Sequence, residues 1–385
     1  MKYIFLLSGD YIDLAKEEII SLFDIENCRL LNNLLIISLK NNKNSIKKLS
    51  RRLALTKCIY KSLFECKNDD LVDLMKNYDW NSIYKDNFCL RVHYLNNNKN
   101  NNIKKIPIKN KNIKKLSNAS ERKLNASSRS RMQLTRPQLT EKDLAKYIWH
   151  SVKKPKVNLE NPKTRIELFF VDNKIYCGLL VFENNEDFES RRSHLRPFSS
   201  PSSLHPKLAR ALINITGIKQ NEILLDPFCG TGGFLIEAGL MDIKTIGYDI
   251  NKLMIKGCIK NLKHYKIKNY KIKNQNALNL KDKFDYIVTD LPYGLNSNVL
   301  LRYSKNWKKH RLNLKIQKKD FYKKLEQFYL KFLKNLRKKL KKKAVIIFPN
   351  YVNYKNLLKK SKFKIEKEFS SYVHRSLTRK IVKIN

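Results

Sequence analysis

Two stretches hold residue types on which chemistry can be built: Leu225-Asp226-Pro227-Phe228-Cys229-Gly230-Thr231-Gly232-Gly233 and Asp290-Leu291-Pro292-Tyr293-Gly294. A glycine-rich turn between a strand and a helix lets backbone N–H groups approach a nucleotide-like cofactor closely at a helix N-terminus. The spacing of Gly230, Gly232 and Gly233 is not the G-x-G-x-x-G of dinucleotide folds, and the turn opens on an acid. An acid there suits a cofactor bearing an ammonium group, as S-adenosylmethionine does. Phe228 lies within the same turn. Asp249 ends the next expected strand, where a carboxylate either accepts both ribose hydroxyls of such a cofactor or caps the following helix. Asn276-Ala277, after a third strand, can offer an amide to an adenine edge.

The second turn offers something different. Asp290 follows the apolar run Phe284 to Val288. Its carboxylate and the neighbouring main-chain carbonyls can accept hydrogen bonds from an amino group, while the Tyr293 ring stacks on a flat base and Pro292 stiffens the turn. An amino lone pair delocalised into a base must be turned toward its methyl donor, so orientation matters more than basicity, and Asp290 also carries away the displaced proton. Alone, Asp-x-Pro-Tyr is an ordinary turn. Following a hydrophobic strand and paired with the glycine-rich turn, it points to methylation of an exocyclic base nitrogen. Carbon-directed methylation would call for an attacking thiolate, usually in a Pro-Cys turn, and the chain has no Pro-Cys pair. Cys229 has no histidine placed by sequence to activate it and reads as a small packed residue.

The elements that must position these residues follow from periodicity. From Pro206 onward, strands and helices alternate. Helix Pro206 to Ile215, strand Ile223 to Leu225, helix Gly233 to Met241, strand Thr245 to Asp249, helix Lys252 to His264, a strand near Lys271 to Asn274 and the strand ending at Asp290 come first. The basic helix Lys318 to Leu340, strand Ala344 to Phe348 and a closing hairpin of Lys364 to Tyr372 with Lys380 to Ile384 complete the series. This pattern predicts a doubly wound α/β domain with ligands at the C-terminal strand ends. The first part reads as α+β: strand Tyr3 to Leu7, amphipathic helix Tyr11 to Phe23, strand Leu34 to Leu39 and basic helix Ile46 to Leu55. A short helix Leu71 to Met75 and strand Phe88 to Leu95 follow. Helix Leu139 to Val152 has Thr140 as its N-cap, and Arg165 to Phe170 with Lys174 to Phe182 form a hairpin across Val171-Asp172-Asn173. Residues 96–116, almost all Asn, Lys and Ile, read as a basic loop that either touches RNA or is merely solvated. Glu183 to Ser203, polar and rich in Pro and Ser, reads as a linker between domains.

Bulk properties narrow the partner. The 385 residues carry 80 Lys plus Arg against 34 Asp plus Glu, a formal charge of +46. Part of that excess reflects an Asn-, Lys- and Ile-rich composition, but a field this large favours a polyanion, and release of counterions makes nucleic acid the natural one. Basic helices Ile46 to Leu55 and Lys318 to Lys343 would add to a phosphate-contacting surface. Seven cysteines without CxxC or His-Cys clustering indicate neither a disulfide framework nor a zinc site, and so a reducing, cytoplasmic setting without a metal. The opening apolar run is too short for a signal segment, and no window of about 18 apolar residues would span a membrane.

The two turns, with Tyr248-Asp249, resemble the archaeal tRNA guanosine N2-methyltransferases that carry a THUMP domain, closest to the tRNA (guanine(10)-N2)-dimethyltransferase group. The resemblance extends through Arg191-Arg192-Ser193-His194-Leu195-Arg196-Pro197-Phe198, Ser203-Leu204-His205-Pro206-Lys207-Leu208-Ala209-Arg210 and His374-Arg375-Ser376-Leu377-Thr378-Arg379. Phe88 to His93 and Val157-Asn158-Leu159-Glu160-Asn161-Pro162 resemble THUMP segments. The resemblance implies a ferredoxin-like domain over 1–65, a THUMP-like domain with an Asn/Lys-rich insertion over 66–182, a linker over 183–203 and a Rossmann-fold methyltransferase domain over 204–385. It implies S-adenosylmethionine as cofactor, held by Asp226, Phe228, Gly230, Gly232, Gly233, Asp249, Asn276 and Ala277. Catalysis would fall to Asp290, Pro292 and Tyr293, and tRNA, gripped at its acceptor end, would be the partner of a monomeric enzyme. Arg191, Arg192, Arg196 and Arg375 are the side chains expected to face that RNA. Asn276 stands where the family usually has Asp, and Leu291 where many amino-methyltransferases have Pro.

Overall fold

The computed structural model describes residues 1–39, 43–95, 139–199, 203–293 and 318–385. The basic segment 96–116 and Gly294 lie outside the described residues. The chain divides into two compact units, the first made of 1–6, 28–41 and 58–183, the second of 7–27, 42–57 and 184–385.

In the first unit, strands β1 (Lys2–Leu7), β2 (Cys28–Leu31), β3 (Leu34–Ser38), β4 (Thr56–Lys67), β5 (Phe88–Tyr94), β6 (Thr164–Val171) and β7 (Lys174–Glu183) form one sheet in the order β2-β3-β1-β4-β7-β6-β5. The β6–β7 hairpin expected from the sequence turns at Asp172, in the left-handed region at φ 52°. A second hairpin, β2–β3, turns at Asn32, also left-handed, a conformation Asn tolerates. A boundary drawn at residue 65 falls inside β4, because that strand joins both halves of the sheet. Helices α3 (Leu71–Asn77) and α4 (Glu141–Ser151) bury Leu71, Met75, Leu144 and Ile148 with Phe88, Leu168 and Phe170 of the sheet. Thr140 caps α4 as expected: its hydroxyl accepts from the Asp143 amide while the Asp143 carboxylate accepts from the Thr140 amide.

The second unit holds a seven-stranded sheet, β10 (Tyr270–Asn274), β9 (Lys244–Asp249), β8 (Ile223–Asp226), β11 (Phe284–Asp290), β12 (Leu340–Pro349), β14 (Leu377–Ile384) and β13 (Ile365–His374), in that spatial order. The strands from β10 to β12 are parallel and β14 is antiparallel to β12. This is the doubly wound arrangement, with helices α5 (Pro206–Asn214), α6 (Gly233–Gly239), α7 (Lys252–His264), α8 (Lys318–Lys339) and α9 (Tyr354–Lys360) between the strands. Helix α8 shows why such a basic segment folds. Leu325, Phe328, Tyr329, Phe332, Leu333 and Leu336 recur at helical spacing and are buried, while Lys323, Lys324, Lys331, Lys334 and Lys338 stay on the exposed face.

Two early helices belong to this unit: α1 (Ile12–Phe23) and α2 (Lys43–Ser50). Helix α2 stops at Ser50 rather than Leu55. The Glu18 carboxylate of α1 is fully buried and accepts from the Ala54 and Leu55 amides and from Asn214 Nδ2 of α5 at 2.7–2.9 Å. The segment expected as a linker packs here as well. Arg191 and Arg210 converge on Glu237 of α6, Glu186 pairs with the same two guanidinium groups, and both of these lie over the Phe188 ring.

Candidate active site

The sheet order reverses between β8 and β11, the switch point at whose carboxyl-end edge doubly wound folds bind their ligands. Asp226 ends β8, Asp249 ends β9 and Asp290 ends β11, so the chain brings these acids to one edge. Thr289 Oγ1, fully buried on β11, donates to Asp226 Oδ1 at 2.8 Å and ties the two central strands together at the switch point.

Asp226 is 2% exposed. Burial pushes its carboxyl up to about 7, Asp249 and Asp290 push the same way, and hydrogen bonds from Thr289 and the Phe228 amide oppose the shift. A carboxyl held near neutrality by its own surroundings is ready to ionise when a cation arrives. Beyond it the backbone turns through Gly230 at φ 51° and Gly232 at φ 89°, left-handed values that favour glycine. Their surroundings differ. A side chain at Gly232 would meet Cys258 Sγ at 2.8 Å, whereas nothing lies within 4 Å of the corresponding point at Gly230. The open space is therefore on the Gly230 side, and Gly233 begins α6 just after it. The Gly230 amide donates to Asp249 Oδ2 at 3.0 Å and the Asn251 amide to Oδ1 at 2.7 Å, so Asp249 closes the same cradle. Phe228 packs edge-on against Phe328 and Phe332 of α8, fixing the turn to the core. Asn276 Oδ1 accepts from the Leu278 amide and caps a single 3₁₀ turn, with Ala277 buried behind it, which leaves the amide nitrogen as the group a base edge could meet.

At the end of β11 the second turn is held from several directions. The carbonyls of Pro292 and Tyr293 accept from the hydroxyls of Tyr329 and Tyr351, each at 2.8 Å. Those carbonyls are thus engaged within the fold, which leaves Leu291 as the main-chain acceptor to consider beside Asp290. Tyr293 Oη donates to Asp290 Oδ1 at 2.5 Å, and burial pushes the Asp290 carboxyl up to about 6 while Arg379 and Tyr293 pull it down. The pattern of residues 374–379 did not single out Arg379. It reaches in from β14, with Nε 3.0 Å from Tyr293 Oη and 3.7 Å from Asp290 Oδ2.

The arginines expected to face RNA separate into two classes. Arg192 and Arg375 are exposed, Arg192 pairing with Glu189 and Arg375 standing at the tip of the β13–β14 hairpin. Arg191 and Arg196 are not surface residues: they are 8% and 5% exposed, Arg191 locked to Glu237 and Arg196 donating through Nε to the Arg191 carbonyl. Their burial removes them as phosphate contacts. Cys229 is buried, and its thiol is pushed well up by the Cys258 thiol and by burial, which makes it a poor nucleophile. Among the described residues no cluster of His, Cys, Asp and Glu is arranged to hold a metal ion, and no helix is long and apolar enough to cross a membrane.

A family model described as an RMKL-like methyltransferase domain matches residues 193–299. The tRNA (guanine(10)-N2)-dimethyltransferase of Methanothermobacter thermautotrophicus is 36% identical over 231 residues, 59% of this chain and 62% of that protein. The enzyme of the same name from Methanocaldococcus jannaschii is 40% identical over 154 residues, 37% of this chain and 44% of that protein. That of Pyrococcus abyssi is 30% identical over 230 residues, covering 58% and 62%. The chain thus spans less than two thirds of the length of these relatives. The likeness to this group read from the motifs is borne out, and the second unit, whose residues 193–299 match that methyltransferase-domain model, has a Rossmann-like sheet.

Proposed function

We propose that the protein methylates the exocyclic N2 of a guanosine in tRNA, the one at position 10, with S-adenosylmethionine as methyl donor. The observation that carries this reading is the meeting, across the β8/β11 switch point, of an acid-bounded glycine cradle with an Asp-x-Pro-Tyr turn. The cradle fits the donor. Asp226 suits an ammonium group, the open side of Gly230 admits close approach of a ligand, Asp249 suits a ribose, and the Asn276 amide with Ala277 suits an adenine edge. When bound, S-adenosylmethionine supplies a methyl carbon on a sulfonium sulfur that retains the bond's electron pair as an amino nitrogen takes the methyl. Asp290 accepts one N–H of the amino group, turns the nitrogen toward the methyl and takes up the displaced proton. One methyl gives N2-methylguanosine, and a second round on the remaining N–H gives the dimethyl product.

The names of the relatives and the charge of +46 support tRNA as substrate. The exposed lysines of α8 and the exposed Arg192 and Arg375 suit phosphate contacts. We read the first unit as the ferredoxin-like and THUMP-like part that holds the RNA, acting in the cytoplasm as a monomer. Another guanosine in tRNA or ribosomal RNA is the neighbouring reading, and product mapping separates them.

Two outcomes test the assignment of the acids. Replacing Asp249 with Ala removes a charged acceptor, a loss of about 1.5–3 kcal/mol and so about 10- to 150-fold in cofactor affinity, measurable by titration calorimetry. Unchanged affinity would remove Asp249 from the cofactor site. The second outcome concerns pH. Only the ionised Asp290 can both accept and take up a proton, so single-turnover methylation should fall as pH drops through about 6. A rate flat from pH 5 to pH 8 would contradict that role, pH 5 and 8 being about one and two units either side of the expected midpoint.

A further inference from the structure

We propose that Arg379 is a positioning residue for methyl transfer: it fixes the Tyr293 hydroxyl in the Asp290 carboxylate and so determines which carboxylate oxygen is left for the substrate amino group. This rests on the reading of Asp290 given above. The hydrogen-bond polarity is forced. A guanidinium has donors and no acceptor, so the hydroxyl that receives Arg379 Nε at 3.0 Å must point its own proton elsewhere, and Asp290 Oδ1 lies 2.5 Å away. Oδ1 is thereby engaged within the protein. Oδ2 lies 3.7 Å from Arg379 Nε, close enough to feel the charge and beyond a direct hydrogen bond, and it is the oxygen left to receive an N–H. The Arg379 side chain is only 13% exposed, so little water screens this interaction.

The placement follows from the fold. In β14, Arg379 sits opposite Pro349 of β12 on one side and Ser371 of β13 on the other, and β12 runs beside β11, where Asp290 pairs with Ile347. A side chain long enough to reach back from β14 therefore arrives at the end of β11. The charged and titratable groups facing Asp290 are Arg379 from β14, Tyr293 from its own turn, Tyr329 from α8 and Asp226 at the end of β8; Tyr11, before α1, faces Arg379. Arg379 is the cation among these described groups. Without it Asp290 has burial acting against its ionisation and only the Tyr293 hydroxyl acting for it.

The test compares wild type with Arg379→Gln, Arg379→Lys and Tyr293→Phe by two readouts. The first is the titration of Asp290 in the cofactor-free protein, followed by carbon-13 NMR of labelled aspartate and assigned with Asp290→Asn. The second is the pH profile of single-turnover methylation of a tRNA transcript. Arg379→Gln should raise the Asp290 midpoint by about one unit or more and move the acid limb of the rate profile up by the same amount, about tenfold less activity at a pH on that limb, with recovery at higher pH. Arg379→Lys should restore most of the shift, and Tyr293→Phe, which keeps the ring, should raise the midpoint as well. A rate lowered equally at every pH with the midpoint unmoved would overturn the proposal, because that is what a merely structural side chain gives. If Arg379→Gln fails to fold, Tyr293→Phe and Arg379→Lys decide by the same criteria. The outcomes also separate the two levels: Asp290→Ala that still methylates sinks the reading of the site, whereas a dead Asp290→Ala beside an unshifted Arg379→Gln sinks only the role of Arg379.

Discussion

Replacing Asp290 with Ala should lower methyl transfer by about a hundred- to ten-thousandfold, the range over which a positioned proton acceptor contributes to a rate. The expected loss is selective. Asp290 sits at the end of β11, while the cradle of Gly230 and Asp249 is built from the ends of β8 and β9, so cofactor affinity should stay within a few-fold of wild type. The surface proposed for RNA should be equally unaffected, since the exposed cations of α8 and the hairpin tip do not depend on this carboxylate. Single-turnover assays with titrations of cofactor and tRNA check all three quantities on one preparation. Retained turnover would remove Asp290 from the reaction, and a parallel loss of cofactor affinity would mean that it holds the cradle rather than the base.

The largest stability effect should come from a residue that touches no ligand. Glu237 is fully buried and holds Arg191 at 2.8 Å and Arg210 at 2.9 Å, with Glu186 bridging the same two guanidinium groups from the partly exposed side. Glu237→Ala leaves two buried cations side by side with one half-exposed carboxylate between them. Breaking a buried ion pair by removing one partner costs about 3–5 kcal/mol. Denaturant unfolding followed by the far-UV signal should show the second unit shifted by that amount, and a change below about 1 kcal/mol, the scale of an exposed pair, would show that the network is solvated. The same residues explain the order of the polar segment that precedes α5: its charges are engaged in pairs, and Phe188 lies between two of them.

The second unit was the more legible from sequence, for a physical reason. Each of Asp226, Asp249 and Asp290 ends a short apolar run, and after Asp226 and Asp249 a helix starts within a few residues, so local rules suffice. Arg379 was not visible in this way. Its role comes from the pairing of β14 with β12 and of β12 with β11, and nothing near residue 379 announces that register. Arg191 and Arg196 misled for the opposite reason. A charge reads as exposed unless its partner is known, and Glu237 lies on a helix beyond the next strand. In the first unit β4 escaped because a register shift between Ser62 and Phe64, where Leu63 is the extra residue, breaks the alternation by which a strand is recognised. Strand β2 is four residues long, too short to show a period. The α1 helix was found where it lies, but its association with the second unit depends on Glu18 and Asn214, a contact between distant parts of the chain.

The central claim is that the switch point between β8 and β11 presents a base amino group to a methyl donor and that the base is guanine. It is tested most directly by incubating the full chain with S-adenosylmethionine and an unmodified tRNA transcript, then mapping the product by nuclease digestion and mass spectrometry. The account predicts a methyl on N2 of the guanosine at position 10, as the mono- or dimethyl nucleoside, and its absence with Asp290→Ala. A methyl on adenine or on a ring nitrogen, or no transfer by a protein that binds the donor, would contradict it.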